Sequence, residues 1–418
     1  MLKNIIRHPI FISTLLALVL IGGLTAAHFL YPETVSTNIL YIGIAATALV
    51  LCAYQLVLFF KKRKQNRDQQ LETEEEALSL VLRPLLVGSK KKPIYLMIGN
   101  KAAGKKQFLT SSNAIKSIDT SRTKKNDFFE WYESDEAVYL KPDQRLVFQE
   151  VSAADSLLWD TMVAEVIRSR PRKPFAGCLF FTDLEFLIIS EEEQIDYALT
   201  ALIDRITSIC DQTNTALPVY MVVSKLDKLQ GFKEYVQLSP LKHNVEYLSI
   251  ALKDAKGVLV DYYRDSFNNL VKVIEKNALD STSQSNDTKE KQAILSFPKQ
   301  LEICQKEVEY VVQRLSEVNR GAYFIDLREL FFSSCLQGGR KYNLLAKSCS
   351  TYFNLPIIAS EHTQLSETPY FTRFLVESQI LPEADFAGEN KTYLKRILRQ
   401  SRLALSLIHI SEPTRQVP

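Results

Sequence analysis

The sequence predicts an α/β fold in which helices cover both faces of a mostly parallel sheet. Three short apolar runs, at 92–98, 176–183 and 218–224, have the composition of buried parallel strands. Between the second and third runs, residues 191–210 carry apolar side chains at helical spacing. Strands that alternate with helices in this way indicate a parallel sheet with helices packed on it.

The composition excludes several classes of partner and site. With 418 residues, the chain has room for two or three domains. Its net charge of +3 gives no basis for a nucleic-acid partner. The six cysteines and five histidines are scattered without the spacing of a metal site, so we expect reduced thiols and no bound metal.

Two apolar runs near the N-terminus predict a transmembrane hairpin over residues 1–60. The runs 10–30 and 39–60 contain no Asp, Glu, Lys or Arg, and each is long enough to cross a bilayer as a helix. Basic residues precede the first run and follow the second at 61–64, which places both ends in the cytoplasm by the positive-inside rule. A cleavable signal peptide is the alternative for the first run, but the second run follows too closely to favour it.

A basic stop and a helical linker are predicted over residues 61–92. The basic residues set the topology of the hairpin, and a glutamate-rich stretch after them begins a helix. This helix is predicted to end near Leu82, because a proline such as Pro84 disfavours the helical conformation in the residue before it. The linker would separate the membrane segments from a cytoplasmic domain.

The turn after the first strand, at 99–106, reads GNKAAGKK and resembles the phosphate-binding loop G-x-x-x-x-G-K-[ST]. Gly99, Gly104 and Lys105 fit this pattern, whereas Lys106 stands where a Ser or Thr would hold magnesium. The glycines would let the backbone surround a phosphate group, and the lysine would add a positive charge. We therefore expect an NTPase-like domain over 93–280, with ATP or GTP as its candidate ligand and a structural relic without a ligand as the alternative.

A second element of such a site follows the strand at 218–224. Ser224, Lys225 and Asp227 form S-K-x-D, which is similar to the [NT]-K-x-D turn that binds guanine in GTPase-like proteins, although Asp227 could instead cap a helix. The D-x-x-G element of such proteins is missing, because residues 141–144 read KPDQ. Two magnesium-binding elements are thus lost together, so we expect no catalytic residue, no metal ligand and no hydrolysis.

The remaining segments predict an additional edge, a linker and a helical region. Residues 137–140 and 145–151 are interpreted as a paired edge of the sheet. The polar range 281–300 is interpreted as a flexible linker, and 301–404 as a helical domain that opens with an amphipathic helix. The final residues, 405–418, resemble a translated transposase-type sequencing adapter, so we expect the chain to be the N-terminal part of a longer protein.

Several segments, taken in order, resemble the IcmF/TssM family of bacterial secretion-system proteins. The similar segments are DFFEWYESDEAVYL at 127–140, RSRPRKPFAG at 168–177, PVYMVVSKLDKLQGF at 218–232, GAYF at 321–324 and LPEADFAGEN at 381–390. With the hairpin and the degenerate loop, the resemblance covers nearly all of residues 1–404. Several matches in the right order are far more specific than any one of them.

The resemblance implies a multi-pass core component of the bacterial inner membrane, with most of this chain in the cytoplasm. It implies a scaffold that stabilises a secretion machine together with a DotU/TssL-like membrane partner. The departures at Lys106 and 141–144 favour the type IVB (Dot/Icm) branch over the type VI branch. One alternative is an active membrane-tethered ATPase or GTPase, with Lys105 on phosphate and Asp227 on the base. A transporter is the other, but the spans offer it no charged substrate path.

Overall fold

The computed structural model divides the chain into two compact units, Met1–Ala77 and Leu78–Pro418. The described residues are 22, 25, 37–111, 115–117, 128–149, 153–238, 248–317, 325–354, 362–366 and 368–411.

The first unit contains the start of a long helix, α1. This helix begins at Thr37 and ends at Gly88, so the predicted second span at 39–60 lies within it. The predicted first span at 10–30 lies outside the described residues, apart from Gly22 and Thr25. Among the residues that are described, no helix is both long and apolar enough to cross a bilayer. The transmembrane hairpin therefore stays a prediction.

The second unit is built on an eight-stranded sheet. Its strands follow the spatial order β2-β3-β4-β1-β5-β6-β8-β7, and β4, β1, β5, β6 and β8 run parallel to their neighbours in that central series. A separate antiparallel pair joins β9 to β10. The strands are β1 (Ile94–Gly99), β2 (Ile115–Ser117), β3 (Phe129–Ser134), β4 (Val138–Pro142), β5 (Gly177–Asp183), β6 (Leu217–Ser224), β7 (Leu248–Ile250), β8 (Ile325–Phe332), β9 (Gln337–Arg340) and β10 (His362–Ser366).

Helices pack mainly on one face of this sheet. Side chains alternate along each strand, so Ile94, Leu96 and Ile98 of β1 face the helices in the larger core cluster. Beyond α1, the helices are α2 (Lys105–Ser111), α3 (Gln144–Phe148), α4 (Ala153–Ser169), α5 (Leu184–Ile189), α6 (Glu192–Thr213), α7 (Phe232–Leu238), α8 (Leu259–Thr282), α9 (Thr288–Ile303), α10 (Gln305–Glu317), α11 (Leu344–Phe353), α12 (Arg373–Leu375) and α13 (Lys391–Ser411).

The other face of the sheet is covered differently, by α2 and by a segment that we call the strap, residues 373–383. The strap consists of α12, a π-helical turn (Val376–Ile380) and a 3₁₀ turn (Leu381–Glu383). Its apolar side chains pack in a second core cluster with Tyr95, Met97 and Tyr220 from the sheet. Helical segments therefore cover both faces as expected, with the longer helices on one face and short helical turns on the other.

A buried carboxylate fixes the end of the strap to the sheet. Glu383 is 8% exposed and accepts hydrogen bonds from the Tyr220 hydroxyl at 2.9 Å, from Lys253 at 2.7 Å and from Arg328 at 3.1 Å. Burial alone would raise the pKa of Glu383, but these donors lower it to about 2. The strap is thus held by charge as well as by apolar contact.

The strands and the helix that the sequence indicated most clearly are confirmed. The runs at 92–98, 176–183 and 218–224 form β1, β5 and β6, and the helical pattern at 191–210 forms α6. The predicted edge at 145–151 was wrong, because residues 144–148 form helix α3. The Asp143 carboxylate caps α3 by accepting from the Arg145 amide at 2.9 Å, and Leu146 and Val147 are buried.

The predicted end of the linker helix near Leu82 was also wrong, since α1 continues through Pro84 to Gly88. Leu78, Leu82 and Leu86 are fully buried on one side of the helix. Their packing compensates for the hydrogen bond that the proline cannot donate.

The division after residue 280 differs most from the prediction. The range 281–300 is not an open linker, because Asp287 caps α9 at the Lys289 amide and Ile294, Phe297 and Leu301 are buried. The range 301–404 is not a separate helical domain either. It contributes β8, which pairs in parallel with β6 inside the main sheet. The amphipathic pattern at 301–318 does form buried helix, in the end of α9 and in α10.

Candidate functional site

The candidate site lies where the parallel strands end. Gly99 of β1 pairs with Phe181 of β5, and Asp183 at the end of β5 pairs with Ser224 at the end of β6. The loop at 100–104 therefore adjoins the turns that leave β5 and β6. Open α/β sheets bind their ligands at this carboxyl edge, so the fold brings the two predicted elements of the site together.

The backbone of the loop explains its two glycines. A Cβ at Gly99 would lie 2.2 Å from the carbonyl oxygen of Phe181, so no larger residue fits beside β5. Gly104 has a φ of +71°, which is a left-handed conformation that glycine adopts without strain. Ala102 adopts a similar φ of +67° without that freedom. The loop therefore has the strand, tight turn and helix of a phosphate-binding loop.

The lysine that would bind phosphate in such a loop instead bonds to carbonyl groups of the loop itself. Lys105 is 5% exposed, and its Nζ donates to the Gly99 carbonyl at 3.0 Å and to the Asn100 carbonyl at 2.7 Å. Burial, and then the nearby Lys141 ammonium, lower the pKa of Lys105 to about 7. A lysine in this state supplies much less positive charge at neutral pH than an exposed one.

A chain of polar contacts connects the loop to the ends of the next two strands. Asn100 donates through Nδ2 to Asp183 at 2.6 Å, and Asp183 also accepts from the Phe186 amide at the start of α5. Lys225 lies 3.2 Å from Asp183 and 3.1 Å from Glu185. Each charged side chain in this set of contacts therefore already has a hydrogen-bond or ion-pair partner within the protein. The Oδ1 atom of Asn100 is buried without a partner among the described residues. Because Oδ1 is an acceptor, it does not suit a phosphate oxygen.

Side chains of the S-K-x-D turn also bond to other groups of the protein. Ser224 is buried, and its hydroxyl donates to the carbonyl of Ala103 at 2.8 Å, which joins this turn to the loop. Asp227 is 4% exposed and accepts from the Ser334 hydroxyl at 2.7 Å, beyond the end of β8. Burial raises the pKa of the Asp227 carboxyl. The carboxylate therefore bonds to the chain at the position where a guanine ring would be expected.

The residues present do not fit a magnesium ion. Lys106 is exposed at the position of the metal-binding hydroxyl, and Thr110 uses its own hydroxyl on the Lys106 carbonyl within α2. Lys141, in the segment that replaces D-x-x-G, pairs with Glu130 across β3 and β4 at 2.9 Å. Two lysines at these positions would repel a divalent cation. In the described part of the chain, no group of three or more His, Cys, Asp or Glu side chains could hold a metal.

The structure adds residues that the sequence analysis did not single out. Asp183, Asn100 and Ser334 hold the predicted residues in place. A signal existed for Asp183, because it is an acidic residue at the carboxyl end of a fully buried strand. Neither Asn100 nor Ser334 had a comparable signal, since each acts through a contact that only the folded sheet creates.

Comparison with known proteins gives matches of three kinds. Residues 152–408 match the family described as IcmF-related N-terminal domain. The type VI secretion system component TssM1 of Pseudomonas aeruginosa is 22% identical over 344 residues, which cover 77% of this chain and 31% of that protein. The chain thus spans about a third of the length of this curated relative.

Among solved structures, the small COPII coat GTPase SAR1 of Encephalitozoon cuniculi, in complex with GDP, is similar at 12% identity. It covers 60% of this chain and 93% of its own, with a TM-score of 0.23. A GTP-binding protein of Sulfolobus solfataricus, also with GDP, is similar at 11% identity over 64% of this chain and 62% of its own, with a TM-score of 0.22. Overlap at these scores is slight. The family match, in contrast, covers more than half of the chain, and the ordered motifs agree with it, so the chain belongs to the IcmF/TssM family.

Proposed function

We propose that this protein is a scaffold component of a bacterial secretion machine in the inner membrane. It would stabilise the membrane complex together with a DotU/TssL-like partner, in a type IVB or a type VI system, without hydrolysing a nucleotide. The family membership supports a role in secretion, and the relative from Pseudomonas aeruginosa is named as a type VI component. The apolar runs at 10–30 and 39–60 support the membrane location.

One observation carries the proposal that the fold acts without turnover. The Lys105 ammonium group donates to two carbonyls of its own loop, and those bonds would have to break before it could bind a phosphate. Lys106 and Lys141 also argue against hydrolysis, because they replace the two groups that would hold magnesium. Without the metal, the charge that develops on transferred phosphate is not neutralised.

An active membrane-tethered NTPase is the second candidate. It is favoured by the strand, turn and helix around 99–106, which retain the backbone course of a phosphate-binding loop. In this reading Lys105 would leave its loop carbonyls on nucleotide binding, and Asp227 would leave Ser334 to meet the base.

The two candidates differ in their response to Lys105→Ala in the natural gene. We expect secretion by this variant, and its co-purification with the DotU-like partner, to stay within about twofold of wild type. We also expect that neither wild type nor the variant binds nucleotide at millimolar concentration in the presence of magnesium. Lys106→Ala is the matched control, because Lys106 is exposed where Lys105 is buried. A loss of secretion above about tenfold in Lys105→Ala alone, with the partner still bound and the protein still folded, would establish the NTPase instead.

The location and the partner need separate measurements. We expect the protein to remain in the inner-membrane fraction after a carbonate wash, and the secretion complex to fall apart when the gene is deleted. A stable complex in the deletion strain would refute the scaffold role. The neighbouring genes would distinguish a type IVB from a type VI system.

A further inference from the structure

Helix α13 has an unusual charge composition over residues 391–403. The sequence KTYLKRILRQSRL contains five basic residues and no acidic residue. The helix begins where the Asn390 carboxamide accepts from the Tyr393 amide at 3.1 Å. The basic residues are Lys391, Lys395, Arg396, Arg399 and Arg402.

The basic residues share one side of this helix. At about 100° per residue, all five lie within about 140° of arc, and all are exposed. Tyr393 and Leu394 lie on the opposite side and are half-buried. Leu403 lies within this arc and Leu398 lies about 20° beyond its edge, and the two are 64% and 57% exposed. The outward face of α13 therefore combines five cations with two solvent-exposed leucines.

These cations are not neutralised within the described part of the chain. No ion pair joins any of the five to a described acidic residue, whereas the cations just outside the helix are paired. Arg172 lies 2.6 Å from Glu389, and Lys173 lies 2.9 Å from Asp385. The acidic residues near the start of α13 are thus already engaged, and the positive charge on its outward face remains available.

A second basic stretch lies against the same part of the second unit. The Arg170 guanidinium donates to the Ser89 and Lys92 carbonyls, and the Arg172 carbonyl accepts from the Asn390 amide at 2.9 Å. The short segment 170–172 therefore anchors both the start of α13 and the exposed Lys90 and Lys91. The two basic stretches are therefore joined through segment 170–172.

We propose that the outward face of α13 binds the anionic headgroups of a lipid bilayer. A surface with this positive charge favours a polyanionic partner. The exposed leucines beside the cations favour a partner that also offers an apolar phase. A bilayer interface provides both, and basic helices with apolar side chains bind there. A nucleic-acid backbone provides the negative charge without the apolar phase. The proposal goes beyond the scaffold function and does not depend on nucleotide binding.

The full chain in lipid nanodiscs tests this proposal by hydrogen exchange. One set of discs contains phosphatidylcholine alone, and the other contains phosphatidylglycerol in addition. We expect the amides of 391–403 to exchange at least about fivefold more slowly in the anionic discs, which corresponds to one or more basic contacts with the surface. Equal exchange in the two discs would overturn the proposal, as would equal protection by duplex DNA in discs without anionic lipid.

Charge-reversal variants show whether the outward face is responsible. The combined substitutions Lys395→Glu, Arg399→Glu and Arg402→Glu are expected to abolish the difference between the discs. Replacing Leu398 and Leu403 by Ser should reduce the difference while leaving every charge in place. Protection that survives the triple reversal would contradict the proposal.

The matched control reverses three exposed lysines elsewhere in the second unit. Lys272→Glu and Lys276→Glu on α8, with Lys289→Glu on α9, change the net charge by the same amount. This control should retain the protection of 391–403. Co-purification of the DotU-like partner, measured on the same variants, separates a failure of lipid binding from a failure of the scaffold role.

Discussion

Two lysine-containing regions of this protein use their charge in opposite ways. At the carboxyl edge of the sheet, Lys105, Lys225 and Asp183 are buried or half-buried, and each bonds to other groups of the chain. On α13, five cations are exposed and have no ion pair among the described residues. The difference follows from burial, because a charge taken out of water must be matched by the protein itself. Charges that remain in water are free to meet an external partner.

The largest expected effect comes from breaking the buried network at Asp183. Asp183→Ala removes the cap of α5, the partner of Asn100 and one of the two carboxylates beside Lys225. We expect the free energy of unfolding to fall by about 4 kcal/mol in urea denaturation, because buried charges lose their match.

Asp143→Ala is the matched control for this substitution. Asp143 also caps a helix, α3, but it is exposed. We expect a loss of about 1 kcal/mol for it. Equal losses for the two variants would mean that the carboxyl edge is no more tightly coupled than an ordinary helix cap.

A smaller effect is expected from the titration of Lys105. Its folded pKa is about 7 and its ordinary value is 10.5, so between these values the unfolded chain binds more protons than the folded chain. Stability from this group therefore rises with pH across that window. The free energy of unfolding of wild type, relative to Lys105→Met, should rise by about 2 kcal/mol from pH 7 to pH 9.

Lys106→Met provides the comparison for that pH profile. Lys106 is adjacent in sequence but exposed, so Lys106→Met removes a lysine from the same loop without breaking the buried bonds of Lys105. Parallel profiles for wild type and Lys105→Met would show that Lys105 keeps its charge in the folded protein.

The smallest effect is expected from the charges of α13. Reversing Lys395, Arg399 and Arg402 to Glu removes no ion pair within the described residues, so the melting temperature should change by less than about 2 °C. Thermal unfolding followed by circular dichroism measures this. A large drop in melting temperature would show that the chain itself uses these cations, and it would weaken the contrast between the two regions.

The sequence predicted the elements whose signals are local. Strands β1, β5 and β6 are uninterrupted apolar runs, and α6 has a clear helical period, so each was placed correctly. Strand β8 was missed because its pattern, IDLRELFF, is decided by pairing with β6, more than a hundred residues earlier in the chain. Helix α3 was read as a strand because its apolar residues favour one, and the Asp143 cap outweighs that preference.

The candidate site was predictable in its residues but not in their bonds. Gly99, Gly104 and Lys105 were identified by the spacing of the loop, and Ser224, Lys225 and Asp227 by their place after a strand. The side-chain directions depend on partners such as Asn100 and Ser334, which no sequence pattern specifies. Only the three-dimensional structure therefore shows that these side chains bond to one another and to the backbone and do not form an open ligand site.

The strap has a consequence for the order in which the protein can form during synthesis. The Tyr95 hydroxyl in β1 donates to the carbonyl of Ile380, which lies 285 residues further along the chain. At ordinary rates of translation, that interval lasts about 15 to 60 seconds. Throughout it, the sheet face that carries Tyr95, Met97 and Tyr220 has no strap to cover it. A ribosome that stalls before residue 380 would leave an aromatic surface open to chaperones and to aggregation.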